Sequence, residues 1–248
     1  MANYHKYILD KKKRVIIGDF EAAYSKCEIV YPGQLELHTV KHRLITEICQ
    51  RLRPNDKVLD IGCGEGYGSR LLKSLGADQI YGIDISNSMI EVAKERELID
   101  KYGINYQVGE VQNLPFKEKT FDLVVGIFVY NYLSVHDTLI SMKEVYRVLK
   151  NGGKFVFAVP HPSFPQIKKE LTPPFYFEFN NDGYFSARDK QYQGKIFCRD
   201  GKSLHVQMIH KLLSDYMNCL KVSKFNKLPE ILELGVLDEH LLIDKKFF

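Results

Sequence analysis

Short apolar runs and longer stretches of helical periodicity alternate through the middle of the chain. Apolar runs at 58–61, 80–83, 106–108, 121–127 and 154–159 have strand length. Between them the apolar positions return every three or four residues. One helix is expected over 68–75, closed by Gly76, and a second starts from a cap near Asn87 or Ser88 and reaches about Leu98. Leu139, Met142, Val145, Val148 and Leu149 mark a third, which stops at Asn151-Gly152-Gly153. Leu37, Val40, Leu44, Ile45 and Ile48 place another helix over 34–51, ahead of the first strand. Strand and helix repeated in this order imply an α/β fold, a parallel sheet with helices on both faces.

The two ends depart from that pattern. Residues 1–33 mix charges with Tyr4, Tyr7, Phe20, Tyr24 and Tyr31 and end in Pro32-Gly33; they read as an N-terminal lid or as a segment packed on the core. Residues 161–201 are dense in Pro, Phe and Tyr, an insertion after the fifth strand. It is either an aromatic cover over the ligand edge of the sheet or a small hairpin with its own core. Beyond it, 205–210 and 229–234 read as strands and 212–220 as a helix, while LLIDKKFF at 241–248 suits an edge strand. The chain thus divides into a lid and helix (1–45), a core (46–160), the insertion (161–201) and a C-terminal part of the core (202–248).

The first strand runs into a glycine-rich turn, VLDIGCGEGYG at 58–68, with glycine at 62, 64, 66 and 68. A strand that turns sharply into a helix with its backbone against a ligand needs residues without a Cβ. Asp84 ends the next apolar run, QIYGID, about 20 residues further on, where an acidic side chain can hold ribose hydroxyls. The pattern points to a nucleoside. It does not match a dinucleotide turn, whose third glycine would fall on Tyr67 or Ser69. Asp60 and Glu65 also bring carboxylates to where a pyrophosphate would lie.

VLDIGCGEGYG, YGIDIS, VGEVQNLPF, FDLVVGIFVYNYL and LKNGGKFVFAVP, in this order, resemble the motifs of the class I S-adenosylmethionine-dependent methyltransferases. The likeness covers roughly residues 40–160. It implies a Rossmann-like sheet and S-adenosylmethionine as cofactor. By the same resemblance Asp60, Gly62, Cys63, Gly64 and Gly66 line the methionine part, Asp84 binds the ribose and Ile85 packs on adenine. Glu110 and Val111 border the adenine edge, and Gly126 offers its carbonyl to the amino group. PHPSF at 160–164 and HKLLSDYMNCL at 210–220 are similar to small-molecule enzymes of the ubiquinone and menaquinone methyltransferase group.

Composition narrows the acceptor. A net charge of +4, with its one dense basic run at 11–14, argues against a nucleic-acid substrate. The fourth strand lacks the Asn-Pro-Pro-aromatic run of enzymes that methylate exocyclic amines of bases, and no Pro-Cys pair offers a thiol for cytosine chemistry. A small, partly apolar acceptor is left, methylated on carbon, oxygen or nitrogen. His161, leaving the fifth strand, is the expected base or substrate anchor, with His210 second. Tyr130, Tyr132 and Tyr216 could face the sulfonium or pack in the core. Two other readings stand beside this one: a protein that binds S-adenosylmethionine without consuming it, and a nucleotide-dependent oxidoreductase. No stretch is apolar enough to span a bilayer, the N-terminus lacks a signal-peptide core, and the five scattered cysteines give no disulfide framework or metal pair. A cytoplasmic setting is expected, and the sequence leaves the oligomeric state open.

Overall fold

The structure is a computed structural model and describes the backbone of 8–9 and 15–16 together with residues 52–53, 55–74, 76–163, 175–197 and 201–231. Two residue pairs near the start, β1 (Ile8–Leu9) and β2 (Val15–Ile16), form a minimal antiparallel pair. The rest of the expected lid, the helix over 34–51 and the candidate strand at 241–248 lie outside the described residues.

Five strands form the central sheet: β3 (Lys57–Ile61), β4 (Gln79–Asp84), β5 (Asn105–Val108), β6 (Phe121–Ile127) and β7 (Leu149–Ala158). They pair in parallel in the order β5-β4-β3-β6-β7. Their apolar character follows from this placement, because side chains leave both faces into packed layers. On one face Val58, Ile80, Leu123 and Val125 meet Leu72 of α1 (Tyr67–Ser74) and Ile90 and Ala93 of α2 (Asn87–Asp100). On the other, Leu59, Ile61, Ile83, Phe121 and Val124 join Met142, Val145 and Val148 of α3 (Val135–Val148) and Tyr216, Cys219 and Leu220 of α4 (Leu213–Val222). This is the Rossmann-like three-layer arrangement.

Two boundaries differ from expectation. The α2 cap is Ser86, one residue before the expected pair, and its Oγ accepts from the Met89 N–H at 3.2 Å. The third helix ends at Val148, not at the glycines. Leu149 already pairs with Phe121, and 151–153 form an irregularity inside β7 before Lys154 resumes pairing with Leu123. Gly152, at φ +79°, supplies the conformation that such a bulge requires.

The insertion builds a separate antiparallel sheet, β10-β9-β8, from β8 (Phe175–Phe177), β9 (Gln191–Phe197) and β10 (Ser203–Ile209). Phe179, Ala187, Tyr192 and Met208 give it a small core of its own. Its strands draw on both sides of the 201/202 division, since β10 pairs with β9 and not with the parallel sheet. Residues 229–231 carry no strand, and 232–234 lie outside the described residues. Among the described residues no helix is long and apolar enough to cross a membrane, and no side-chain cluster could hold a metal ion.

Candidate active site

Gly62, Gly64 and Gly66 have φ of +65°, +56° and +84°, a region that side chains with a Cβ adopt at a cost. The backbone N–H groups of Gly62 and Cys63 both donate to the Ile83 carbonyl, at 2.8 and 3.1 Å, so the turn folds over the end of β4. A Cβ on Gly62 would stand 2.8 Å from Val129, which comes in from the segment after β6. Asp60 is buried, and its Oδ2 accepts from Ser69 Oγ at 2.6 Å, tying the last turn of β3 to α1.

Asp84 sits across this turn. Its Oδ2 accepts the Gly64 N–H at 2.8 Å and its Oδ1 the Ser86 N–H at 2.9 Å. Burial pushes its pKa above the ordinary carboxylate value, and the backbone donors of Ser86, Gly64 and Ile85 oppose that shift. A carboxylate has lone pairs beyond these bonds, which suits ribose hydroxyls. Glu65 behaves otherwise than the sequence suggested. It is paired with Arg70 at 2.7 Å and with Arg96, so its charge is compensated. The electrostatic case against a pyrophosphate passes to Asp60 and Asp84.

The remaining expected residues line the same edge of the sheet. Cys63 is buried, and burial with Asp84 and Asp60 nearby raises its thiol pKa well above the usual range, leaving it neutral. Ile85 follows Asp84, and Glu110 and Val111 follow β5, where the Gly109 N–H donates to the Asp84 carbonyl at 2.9 Å. Val111 belongs to the core that holds Ile83 and Leu114, which makes its side chain a wall. Gly126 lies in β6, with Ile61 and Val129 closing on the position a Cβ would take.

The two histidines separate. His161 leaves the C-terminal end of β7, is exposed, and accepts the Ser163 N–H on Nδ1 at 3.2 Å. His210, directly after β10, is fully buried, its Nε2 bonded to the Tyr184 carbonyl at 2.9 Å and its ring set edge-on to Phe179 and Tyr184. Burial lowers its pKa, against the opposing carbonyl bond. Its setting is that of a neutral strut within the small sheet. Tyr130 and Tyr216 are likewise buried in the core, while Tyr132 is partly exposed.

Some contributors carry no signal in sequence periodicity. Tyr106 on β5 lies over Gly82 of β4, and its hydroxyl approaches the Gly66 carbonyl at 3.4 Å, bracing the turn from beneath. Phe128 takes φ +56° directly after β6, a strained conformation for a bulky residue. Lys211 is buried and donates from Nζ to the carbonyls of Leu133 and Ile209, so it pins the end of β10 to the segment after β6.

Residues 59–157 match a family model described as a methyltransferase domain. A demethylmenaquinone methyltransferase of Staphylococcus aureus strain MRSA252 is 31% identical over 74% of this chain and 77% of its own length. The chain belongs to the class I S-adenosylmethionine-dependent methyltransferases. A demethylmenaquinone methyltransferase of Symbiobacterium thermophilum is 38% identical over 42% of each chain, so the match spans less than half of that relative. Among solved structures, an S-adenosylmethionine-dependent methyltransferase from Clostridium acetobutylicum shares the fold at a TM-score of 0.62, with 18% identity over 82% of this methyltransferase and 86% of its own chain. A protein from Pyrococcus horikoshii OT3 matches at 0.59, with 25% identity over 81% and 88%. S-adenosylmethionine is therefore the cofactor, and the glycine turn with Asp84 is a site of the right chemistry for it.

Proposed function

We propose that this methyltransferase moves a methyl group from S-adenosylmethionine to a small, partly apolar acceptor, with a reduced quinone of the demethylmenaquinone kind as the first candidate. The observation that carries the reading is the pairing of Asp84 with the Gly64 N–H at 2.8 Å, which joins the ribose anchor and the glycine turn in one rigid edge. Bound there, S-adenosylmethionine supplies a methyl already activated by its sulfonium. Asp84 holds the ribose, Ile85 packs on the adenine, and Glu110 with Val111 borders its edge. Asp60, Gly62, Cys63, Gly64, Gly66 and the Gly126 carbonyl surround the methionine part.

The chain's task is then to hold a nucleophile in line and keep water out. A reduced naphthoquinone is nucleophilic at the ring carbon beside its hydroxyl. That carbon would take the methyl as S-adenosylhomocysteine leaves, and its ring proton would then pass to water. With Nδ1 of His161 accepting the Ser163 N–H, the neutral ring carries its proton on Nε2. This supports His161 as a substrate anchor before a base. His210, buried and bonded to Tyr184, supports the small sheet and not the chemistry. The near-balanced composition favours a cytoplasmic setting.

The test is calorimetry with S-adenosylhomocysteine followed by a product assay with labelled S-adenosylmethionine and reduced demethylmenaquinone. Binding with label transferred to the quinol is expected. Binding without transfer to this or other small phenols would leave a non-catalytic binder.

A further inference from the structure

A short 3-10 helix, Tyr130–Tyr132, follows β6 at the edge where the cofactor turn lies. Its seat is firm. The Tyr130 ring packs edge-on against Phe155 and Phe157, and its hydroxyl meets Ser141 Oγ at 3.2 Å. On the N-terminal side Val129 closes on Gly62 of the turn. On the C-terminal side the Leu133 carbonyl is held by Lys211, which lies just past β10 of the antiparallel sheet. The middle residue of the helix, between these two attachments, is Asn131.

Asn131 is 7% exposed, and its Oδ1 is buried with no hydrogen-bond partner. In the orientation the structure gives the amide, that atom is an acceptor without a donor. A buried amide left unsatisfied weakens the fold, and such a group in a native protein calls for an explanation. Hydrophobic packing alone would be served better by leucine. A ligand that brings its own donor supplies the missing partner.

We infer that Asn131 is the residue that recognises the methyl acceptor, accepting a hydrogen bond from a hydroxyl or N–H beside the carbon, oxygen or nitrogen to be methylated. Its place between the cofactor turn and the antiparallel sheet assigns it to the acceptor, while the ribose falls to Asp84, which is bonded to the Gly64 N–H. The assignment rests on the methyl-transfer reading above. Lys211 is a positioning residue here: it fixes the Leu133 carbonyl and with it the register of the 3-10 helix.

Asn131→Leu separates this role from a structural one. With labelled S-adenosylmethionine and reduced demethylmenaquinone, kcat/KM for the acceptor should fall at least about tenfold. Binding of S-adenosylhomocysteine should stay within about twofold, and Tm should hold or rise because an unsatisfied amide has gone. Asn131→Asp, which keeps an acceptor oxygen, should recover part of the loss. As competitors, 1,4-dihydroxynaphthalene should inhibit the wild type better than 1,4-dimethoxynaphthalene, and the leucine variant should lose that preference. Unchanged kcat/KM and competitor preference in Asn131→Leu would overturn the assignment while leaving methyl transfer standing. So would a lowered Tm or weakened S-adenosylhomocysteine binding that accounts for the lost turnover. A wild-type protein that binds S-adenosylhomocysteine yet methylates no hydroxylated acceptor would overturn the methyl-transfer reading itself, and the assignment with it.

Discussion

Asp84 joins two tasks in one side chain. Its carboxylate fastens the glycine turn through the Gly64 N–H and opens α2 through the Ser86 N–H, and its remaining lone pairs are what a ribose would meet. Asp84→Asn turns one accepting oxygen into a donor facing an N–H. S-adenosylhomocysteine binding should weaken at least about tenfold, seen by calorimetry, with unfolding still cooperative. His161→Ala should cut turnover at least about tenfold with cofactor binding unchanged; equal turnover would remove His161 from the site. Asp84 and the glycines were legible because the turn constrains residue type and spacing within one stretch of chain. Tyr106 and Lys211 were not, because their roles come from contacts between segments far apart in sequence, which no local period records. Glu65 shows the reverse error: its charge was visible, but the arginines that neutralise it lie on α1 and α2.

At the scale of elements, the parallel strands announced themselves because burial on both faces demands unbroken apolar runs. β10 was legible as a strand but its partner was not, since alternation fixes which face is apolar and not which sheet receives it. The strand belongs with β9, and Gly194 is what allows the third member to join. A Cβ there would run into the Phe177 ring and the Tyr176 carbonyl of β8. Gly194→Ala should cost about 1–3 kcal/mol of local stability. Hydrogen exchange is the measurement that locates it: amides of β8 and β9 should lose protection while those of β3, β4 and β6 keep theirs. Uniform loss across both sheets would mean that the small sheet is no separate unit.

Across the whole molecule, the two sheets are joined at a buried cation. Burial pushes Lys211 down to about 8, with Asp189 and Asp215 nearby opposing the shift, while an unfolded chain keeps the residue near the ordinary value of about 10.4. Between those values the unfolded state binds more protons, so this lysine's contribution to stability rises with pH. Its burial cost is full below pH 8 and fades as pH climbs through 8 towards about 10. Lys211→Met removes that dependence. The Tm of the wild type minus that of the variant should therefore increase between about pH 7 and 10. A difference that stays flat would mean that the ammonium is hydrated in the native state.

The brace beneath the glycine turn has a hereditary consequence. Gly82 and Tyr106 are neighbours across β4 and β5, and a Cβ on Gly82 would come within 2.6 Å of the tyrosine ring. A side chain gained first at 82 collides with the ring, and a ring lost first at 106 removes one contact to the Gly66 carbonyl. A larger residue at 82 is therefore expected only in descendants where 106 has lost its ring. Paired drift at 82 and 106, 24 residues apart, is the mark this contact should leave on the lineage.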